Sequence, residues 1–148
     1  MSLWAFSMLY ESQQDLKNQR QAQQVVEEMF GWDIEELNIR YHADWIAYVD
    51  KKPHALIEYK RRHCEHDAYD TVFLDVQKYV ECKKYADALD IPFYYLQEWD
   101  DKYGITQPKM TDAIRSKIAI AGSSRRDDVN DFYLMMHLPL KRFTLKSK

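Results

Sequence analysis

The chain has 148 residues, of which 46% are apolar and 14% aromatic, and its formal net charge is −3. A chain of this size and composition can bury one core, so we predict a single domain over residues 1–148. The mild acidity excludes nucleic-acid binding through overall charge, so contact with DNA requires a local site. Two cysteines are too few for a disulfide framework, and no apolar run approaches the roughly 20 residues that cross a membrane. We therefore expect a cytoplasmic protein with no membrane partner.

The first predicted element is a helix over Gln13–Phe30. Its apolar residues recur at helical spacing along one stripe: Ala22, Val25, Val26, Met29 and Phe30. Gly31 is placed to end the helix. Toward the N-terminus the same stripe becomes polar at Gln19 and Asp15. The helix can therefore pack on a core at one end and face a polar site at the other, or its first turns simply project beyond the core.

Two strands are predicted next, over residues 44–49 and 55–59, with a charged turn between them that ends at Pro53. A connection this short favours an antiparallel hairpin. The polar stretch 61–70 follows as a loop.

A second helix is predicted over residues 74–89. Its expected buried side consists of Val76, Tyr79, Val80, Ala86 and Leu89 and is interrupted by Lys83. Asp90 and Pro92 end this helix. Residues 92–99 then form an aromatic and apolar strand, and residues 103–105 a short return strand.

The C-terminal part has a weaker pattern. Residues 110–121 fit a helix or an irregular segment, residues 122–128 a loop, and residues 132–138 a strand that Pro139 closes. The basic tail is predicted to fray. The order of helix, hairpin, helix and strand predicts an α/β fold with a central mixed β-sheet flanked by helices.

Three charged residues of the predicted hairpin form a candidate site. Asp44 opens one strand, and Glu58 and Lys60 lie near the end of the other, fourteen and sixteen residues later. Residues two apart in a strand share a face, so Glu58 and Lys60 point to the same side. Strand pairing brings Asp44 and Glu58 to one end of the sheet. Neighbouring carboxylates repel unless a cation lies between them, and ligation by oxygen alone suits Mg²⁺ or Mn²⁺.

This combination fits hydrolysis of a phosphodiester. A divalent ion polarises a phosphoryl oxygen and lowers the pKa of a bound water. Lys60 can position that water or stabilise negative charge as it develops. The same short pattern also fits a surface ion pair between Glu58 and Lys60. Its place in a hairpin, before a helix and an aromatic strand, favours the nuclease interpretation.

With these pieces in this order, the chain resembles the PD-(D/E)XK nuclease superfamily, and in particular its small phage and prophage members. The resemblance covers most of the chain. The matching pieces are residues 15–19, 40–45 (RYHADW), 55–61 (ALIEYKR), Lys78, residues 91–93 (IPF), 124–128 (SRRDD) and 137–139 (HLP).

The resemblance implies a restriction-endonuclease-like fold and a metal-dependent deoxyribonuclease with a role in phage DNA processing. It implies that Asp44 and Glu58 are metal ligands, with the backbone carbonyl of Tyr59 as a third. It also implies that Lys60 is the catalytic lysine.

The two predicted helices contribute further residues by the same resemblance. Lys78, or its neighbour Gln77 as a substrate-binding residue, would point from the second helix toward the site. Gln19 takes the first-helix position where many relatives have a glutamate that completes the metal shell. A neutral amide is a weaker Mg²⁺ ligand than a carboxylate, and Asp15, one turn earlier, is a candidate to compensate. The alternative function is therefore a catalytically weak module that binds DNA or a phage protein.

Positive charge near the site predicts contact with the DNA backbone. Arg61 and Arg62 extend the catalytic strand and are expected to hold phosphates around the cleft, although a solvated surface fits them as well. Arg125 and Arg126 add charge further along. A domain this small leaves specificity to a homodimer or a phage protein partner.

Two other site types remain as alternatives. His63, Cys64 and His66 form a compact cluster that suggests zinc, but a second pair of ligands is missing and a polar loop fits better. Cys82 suggests a thiol nucleophile, but its position inside a helix is typical of a small buried side chain.

Overall fold

The computed structural model of the chain describes residues 12–38, 42–111, 118–122 and 132–148, with only the backbone described for residues 118–122, 132 and 133. The predicted pieces at residues 40 and 41 and at 124–128 lie outside the described residues. The described part contains two α-helices, α1 (Gln13–Phe30) and α2 (Val76–Ala88), and a short 3-10 turn, Leu140–Arg142. The strands are β1 (Asp33–Glu36), β2 (Trp45–Val49), β3 (Lys52–Arg61), β4 (Thr71–Asp75), β5 (Phe93–Glu98), β6 (Lys102–Thr106), β7 (Ile118–Gly122), β8 (Phe132–Pro139) and β9 (Thr144–Ser147).

A six-stranded sheet with the order β1-β2-β3-β5-β6-β9 forms the centre of the molecule. Its middle pair, β3 and β5, is parallel, and the other pairs are antiparallel. Side chains alternate between the two faces, so Trp45 and Ala47 pack with α1, whereas Ile46 packs with α2. The predicted mixed sheet with a helix on each side is therefore confirmed.

Helix α1 has the predicted bounds. Ser12 caps its N-terminus, and the Asp15 side chain reaches back to the Ser12 backbone, which completes a capping box. Gly31 ends the helix in the left-handed conformation, with φ of 68°. Ala22 and Val26 are fully buried in the middle of the stripe. The helix thus packs through its C-terminal half, as its apolar pattern predicts.

The predicted hairpin is formed by β2 and β3. Asp50 and Lys51 make the turn with positive φ angles of 50° and 64°, which matches the twist of the flanking strands. Strand β3 begins earlier than predicted, because a register shift after Ala47 lets Pro53 pair with Tyr48. The hairpin fixes how the end of β3 lies beside the start of β2.

A second, three-stranded sheet with the order β4-β8-β7 was not predicted. Residues 71–75 form a strand, so the expected helix start at residue 74 is wrong, and Asp75 instead caps α2. Val72 and Leu74 are buried and Phe73 is exposed between them, but three positions of alternation are too few to outweigh the helical pattern that follows. Residues 118–121, expected as helix or irregular chain, form β7 together with Gly122, which was expected to begin a loop.

The expected frayed tail is also wrong. Residues 144–147 pair with β6 as the edge strand β9, and the Lys148 backbone N–H donates to the Asp101 carbonyl. Phe143, just before this strand, is buried against Tyr95 and Trp99. A single buried aromatic residue anchors a segment whose other side chains are mostly polar.

Helix α2 buries a narrower stripe than expected. Tyr79, Cys82 and Ala86 face the core, whereas Val80 and Leu89 are 48% and 50% exposed. The packed side therefore passes through Cys82, and the expected burial of Val80 and Leu89 is wrong. Neither helix in the described part of the chain is long and apolar enough to span a membrane.

Candidate active site

The carboxyl groups of Asp44 and Glu58 meet where β2 begins and β3 ends. The Asp44 backbone N–H donates to the Ile57 carbonyl at 3.1 Å, and the Asp44 carboxylate accepts a 2.9 Å hydrogen bond from the Tyr59 N–H. These two contacts hold Asp44 against β3 on both sides of Glu58. The hairpin thereby joins residues that lie fourteen positions apart in the sequence.

Glu58 is a buried acid with an unfavourable environment for its charge. Its residue surface is only 8% exposed. Removal from water, followed by the charge of Asp44 and a hydrogen bond between the two carboxyl groups, raises the pKa of Glu58 well above its ordinary value. Its Oε2 atom is buried and receives no hydrogen bond from the described residues. Either a proton or a cation is needed to neutralise this pair.

Lys78, in the first turn of α2, contacts both Glu58 and the backbone segment that precedes Asp44. Its Nζ atom lies 3.5 Å from Glu58 Oε1 and donates a 2.8 Å hydrogen bond to the His42 carbonyl. Burial alone would lower the pKa of Lys78, but the charges of Glu58 and Asp44 raise it overall. Lys78 therefore stays protonated and ties the segment before Asp44 to the acid on β3.

The segment before Asp44 has a second tie to α2. His42 adopts a positive φ of 61°, and its carbonyl also accepts a 3.4 Å hydrogen bond from the Cys82 thiol. Burial raises the pKa of Cys82 to about 12, so the thiol remains a donor. This finding argues against a thiolate nucleophile and gives Cys82 a structural role beside the site.

Lys60 follows Glu58 on the same side of β3 and remains exposed. Partial withdrawal of its ammonium from water and the charge of Arg62 lower the pKa of Lys60, while Glu58 and Asp44 oppose this shift. The amine thus lies within electrostatic reach of the carboxylate pair. Gln77 is exposed in the first turn of α2, where its N–H donates to Asp75.

Arg61 points to the other side of the sheet from Lys60. Its guanidinium forms an ion pair with Glu98 and donates to Asp100 at 3.2 Å. Arg62, which shares the alternation of Lys60, is partly buried. The structure therefore places Arg62 near the candidate site and commits the Arg61 charge to neighbouring acids.

The N-terminal half of α1 contributes polar residues near the same end of the sheet. Asp15 accepts hydrogen bonds from the backbone and hydroxyl of Ser12, which lower its pKa, and His63 and Lys60 lower it further. Gln19 lies one helical turn later and is partly buried. The Asp15 carboxylate is thus engaged in helix capping.

The donor set of the site fits a hard divalent cation. It offers the two carboxylates, and the buried Oε2 atom of Glu58 has no donor among the described residues and can accept a cation. Within the described ranges, no group of three or more His, Cys, Asp or Glu side chains is arranged around a metal position. The zinc alternative is disfavoured, because the His66 ring bonds to Asp101 instead.

Comparison with known protein families shows to which family the chain belongs. A family model described as phage putative PDDEXK endonuclease matches residues 5–146. The chain belongs to this family. The predicted resemblance to phage members of the PD-(D/E)XK superfamily is therefore confirmed, and with it the restriction-endonuclease-like fold and the coarse assignment as a nuclease.

The structural comparison gives a weaker likeness. A Holliday junction resolvase from the archaeal hyperthermophile Archaeoglobus fulgidus, Hjc, superposes with a TM-score of 0.48 at 10% sequence identity. The match covers 78% of this chain and 82% of the resolvase. The comparison with curated proteins found no match to this PDDEXK chain.

Two residues of the PDDEXK site region were missed by sequence reasoning. Gln97 on β5 is the register partner of Lys60, and Tyr95 on the same strand is the partner of Glu58. Their strand was predicted correctly, but its pairing with β3 was not, so nothing in the sequence placed them beside the site. A prediction that β3 and β5 are parallel neighbours would have identified both residues.

Proposed function

We propose that this PDDEXK chain is a divalent-metal-dependent nuclease that hydrolyses DNA phosphodiester bonds in the processing of phage DNA. The observation that carries the proposal is the pairing of the buried Glu58 carboxyl with the half-buried Asp44, with Lys60 and Lys78 beside them. Two acids and two amines at one end of a sheet suit a cation and a phosphate anion together. A structural role alone gives no reason to place a second carboxylate beside a buried one.

The metal-holding residues in this proposal are Asp44 and Glu58, with the Tyr59 carbonyl and, from α1, Gln19. The Tyr59 N–H fixes the Asp44 carboxylate, so one residue orients the first ligand and offers its own carbonyl as another. A bound Mg²⁺ or Mn²⁺ supplies Lewis acidity toward the phosphoryl group and acidifies water. The residues of the chain determine where that chemistry occurs.

The two lysines have separate roles in the proposal. Lys60 is exposed and directs its ammonium toward the substrate side, where it orients the attacking water and stabilises negative charge on the phosphoryl oxygens. Lys78 is occupied by Glu58 and the His42 carbonyl, so it positions the ligand groups. Lys78 therefore belongs to the catalytic apparatus through the contacts it makes inside the protein.

Phosphate contact outside the reacting group falls to residues that border the site. Arg62 directly follows β3, which supplies Lys60, and Gln77 lies on α2, which supplies Lys78. Arg61 can join them only by leaving Glu98 and Asp100, so we expect it to contribute less. Specificity would come from a homodimer or from a phage protein bound to a single domain over residues 1–148.

Cleavage of plasmid and linear DNA tests the proposal. Purified protein is incubated with Mg²⁺, with Mn²⁺ or with EDTA, alongside Lys60→Ala. We expect metal-dependent cutting that falls about 10²–10³-fold in Lys60→Ala. The matched control is Lys83→Ala, which removes a half-exposed lysine that pairs with Asp87 on the same helix and should cut normally. Cutting in EDTA, or equal activity in Lys60→Ala, would contradict the proposed function.

The second candidate function is a nuclease-fold module that binds DNA or a phage protein without efficient cleavage. Gln19 in place of an acid, together with the engagement of Asp15 by Ser12, favours it. DNA binding in a filter or gel-shift assay, with no product in either metal, would support this candidate. Restored cutting in Gln19→Glu would show that the missing carboxylate is the cause.

A further inference from the structure

Gln97 on β5 is a fully buried amide next to the candidate site. Its relative exposure is 0%. Register pairs it with Lys60, and pairs Tyr95 with Glu58. Tyr95 packs in the core on the α2 side, so Gln97, two residues later, lies on the same face of the sheet as Glu58 and Lys60.

The orientation of this amide is fixed by one contact. The Tyr95 hydroxyl donates a 2.9 Å hydrogen bond to Gln97 Oε1, and also lies 3.4 Å from the Phe73 carbonyl. The Nε2 group of Gln97 is therefore turned away from Tyr95. It is buried and has no acceptor among the described residues. A buried donor without a partner costs about 1–3 kcal/mol, so such a group needs an explanation.

A complementary group lies on the neighbouring strand. Within the described part of the chain, Glu58 Oε2 is a buried carboxylate oxygen without a donor, and Gln97 Nε2 is a buried amide nitrogen without an acceptor. The two side chains are diagonal neighbours on one face of a parallel strand pair. A water molecule between them would satisfy both groups, since buried waters typically make about three hydrogen bonds to polar atoms that lack other partners.

We propose that Gln97 is a positioning residue of the metal site, which donates through one bound water to Glu58 Oε2 and so holds the carboxylate in its ligand orientation. Tyr95 acts one step behind it by fixing the amide. The inference deepens the proposed function and rests on Glu58 as a metal ligand. It adds residues of a third strand, β5, to a site that otherwise draws on the hairpin and the two helices.

Mn²⁺ binding without DNA tests this role directly. Gln97→Met keeps the volume and removes the amide, so calorimetric titration should show Mn²⁺ affinity about tenfold weaker, the lower end of effects seen when groups that orient ligands are removed. A purely structural Gln97 predicts the opposite pattern, with unchanged affinity and equal or higher thermal stability, because an unpaired buried donor is lost. Tyr95→Phe should weaken Mn²⁺ binding in the same direction, and it carries the test if Gln97→Met does not fold.

Two further variants separate this inference from the proposed function. Thr71→Val removes the hydrogen bond between Thr71 and His137 in the second sheet and should leave Mn²⁺ affinity unchanged. Glu58→Gln should abolish binding. If the unmodified protein binds Mn²⁺ and Glu58→Gln does not, but Gln97→Met and Tyr95→Phe bind within twofold of the unmodified protein, only the role of Gln97 is overturned. If the unmodified protein binds no Mn²⁺, both proposals fall.

Discussion

Two buried glutamates on neighbouring central strands have opposite surroundings. Glu98 on β5 accepts hydrogen bonds from the Tyr59 hydroxyl, from Arg61 and, at 2.6 Å, from Lys148. Glu58 on β3 faces another carboxylate and has Lys78 at 3.5 Å, and one of its oxygens has no donor among the residues that the structure describes. Glu98 therefore has the surroundings of an acid that stabilises the fold, whereas Glu58 has the surroundings of an acid that can bind a ligand.

The two glutamates also lie on opposite faces of the central sheet, on either side of the C-terminal half of β3. Tyr59 and Arg61 point toward Glu98, whereas Glu58 and Lys60 point toward α2. Anchoring of the odd-numbered side chains fixes the backbone that carries the even-numbered ones. Glu98 and the three side chains that donate to it thereby supply the rigid support that a site of this kind needs.

The largest expected effect is the loss of cleavage in Glu58→Gln. The amide removes the proposed metal ligand, but it also removes a buried charge that the metal-free protein must accommodate. Activity should fall at least about 100-fold, while thermal stability in EDTA near neutral pH stays equal or rises. Cleavage assays and thermal unfolding measured on the same preparation check both halves. Loss of stability with retained cleavage would place Glu58 among the structural acids.

Glu98→Gln should give the reverse pattern. The change leaves Arg61 and Lys148 without their shared carboxylate at a position that is only 4% exposed. We expect a loss of about 3 kcal/mol in the free energy of unfolding, measured by urea denaturation. Mn²⁺ affinity of the folded fraction should change far less than in Glu58→Gln. Stability within about 0.5 kcal/mol of the unmodified protein would mean that this cluster is too well solvated to anchor β3.

The raised pKa of Glu58 predicts how pH acts on each form of the protein. Without metal, folded Glu58 keeps its proton to a higher pH than the unfolded chain, whose ordinary value is 4.5. The stability that protonated Glu58 contributes below that value is therefore lost as the pH rises through the raised pKa of Glu58 in the folded protein. Thermal unfolding in EDTA across this window should show the decline, and Glu58→Gln should remove it.

A bound metal ion should favour the deprotonated form of Glu58, whereas the metal-free fold favours the protonated form. A cation competes with the proton on Glu58, so Mn²⁺ affinity should weaken as the pH falls through the raised pKa. Saturating Mn²⁺ should also flatten the decline of stability at higher pH. A pH-independent Mn²⁺ affinity would show that the ion binds away from Glu58.

Sequence reasoning predicted the elements with strong local patterns and missed those fixed by distant contacts. Helix α1 and the hairpin were found because capping, periodicity and a short turn act within a few residues. Strand β4 and strand β9 were missed because their partners, β8 and β6, are far along the chain. Gln97 was missed for the same reason, since only the β3–β5 pairing brings it to Lys60.

Asp15→Asn carries the smallest expected effect and tests whether α1 supplies a metal ligand. Asp15 accepts hydrogen bonds from the Ser12 backbone at 2.9 Å and from its hydroxyl at 2.8 Å, so its carboxylate is occupied at the helix start. Asparagine should weaken this capping box by about 0.5–1 kcal/mol and leave Mn²⁺ affinity unchanged. Weaker Mn²⁺ binding in Asp15→Asn, with helix stability preserved, would instead make Asp15 the acid that compensates for Gln19.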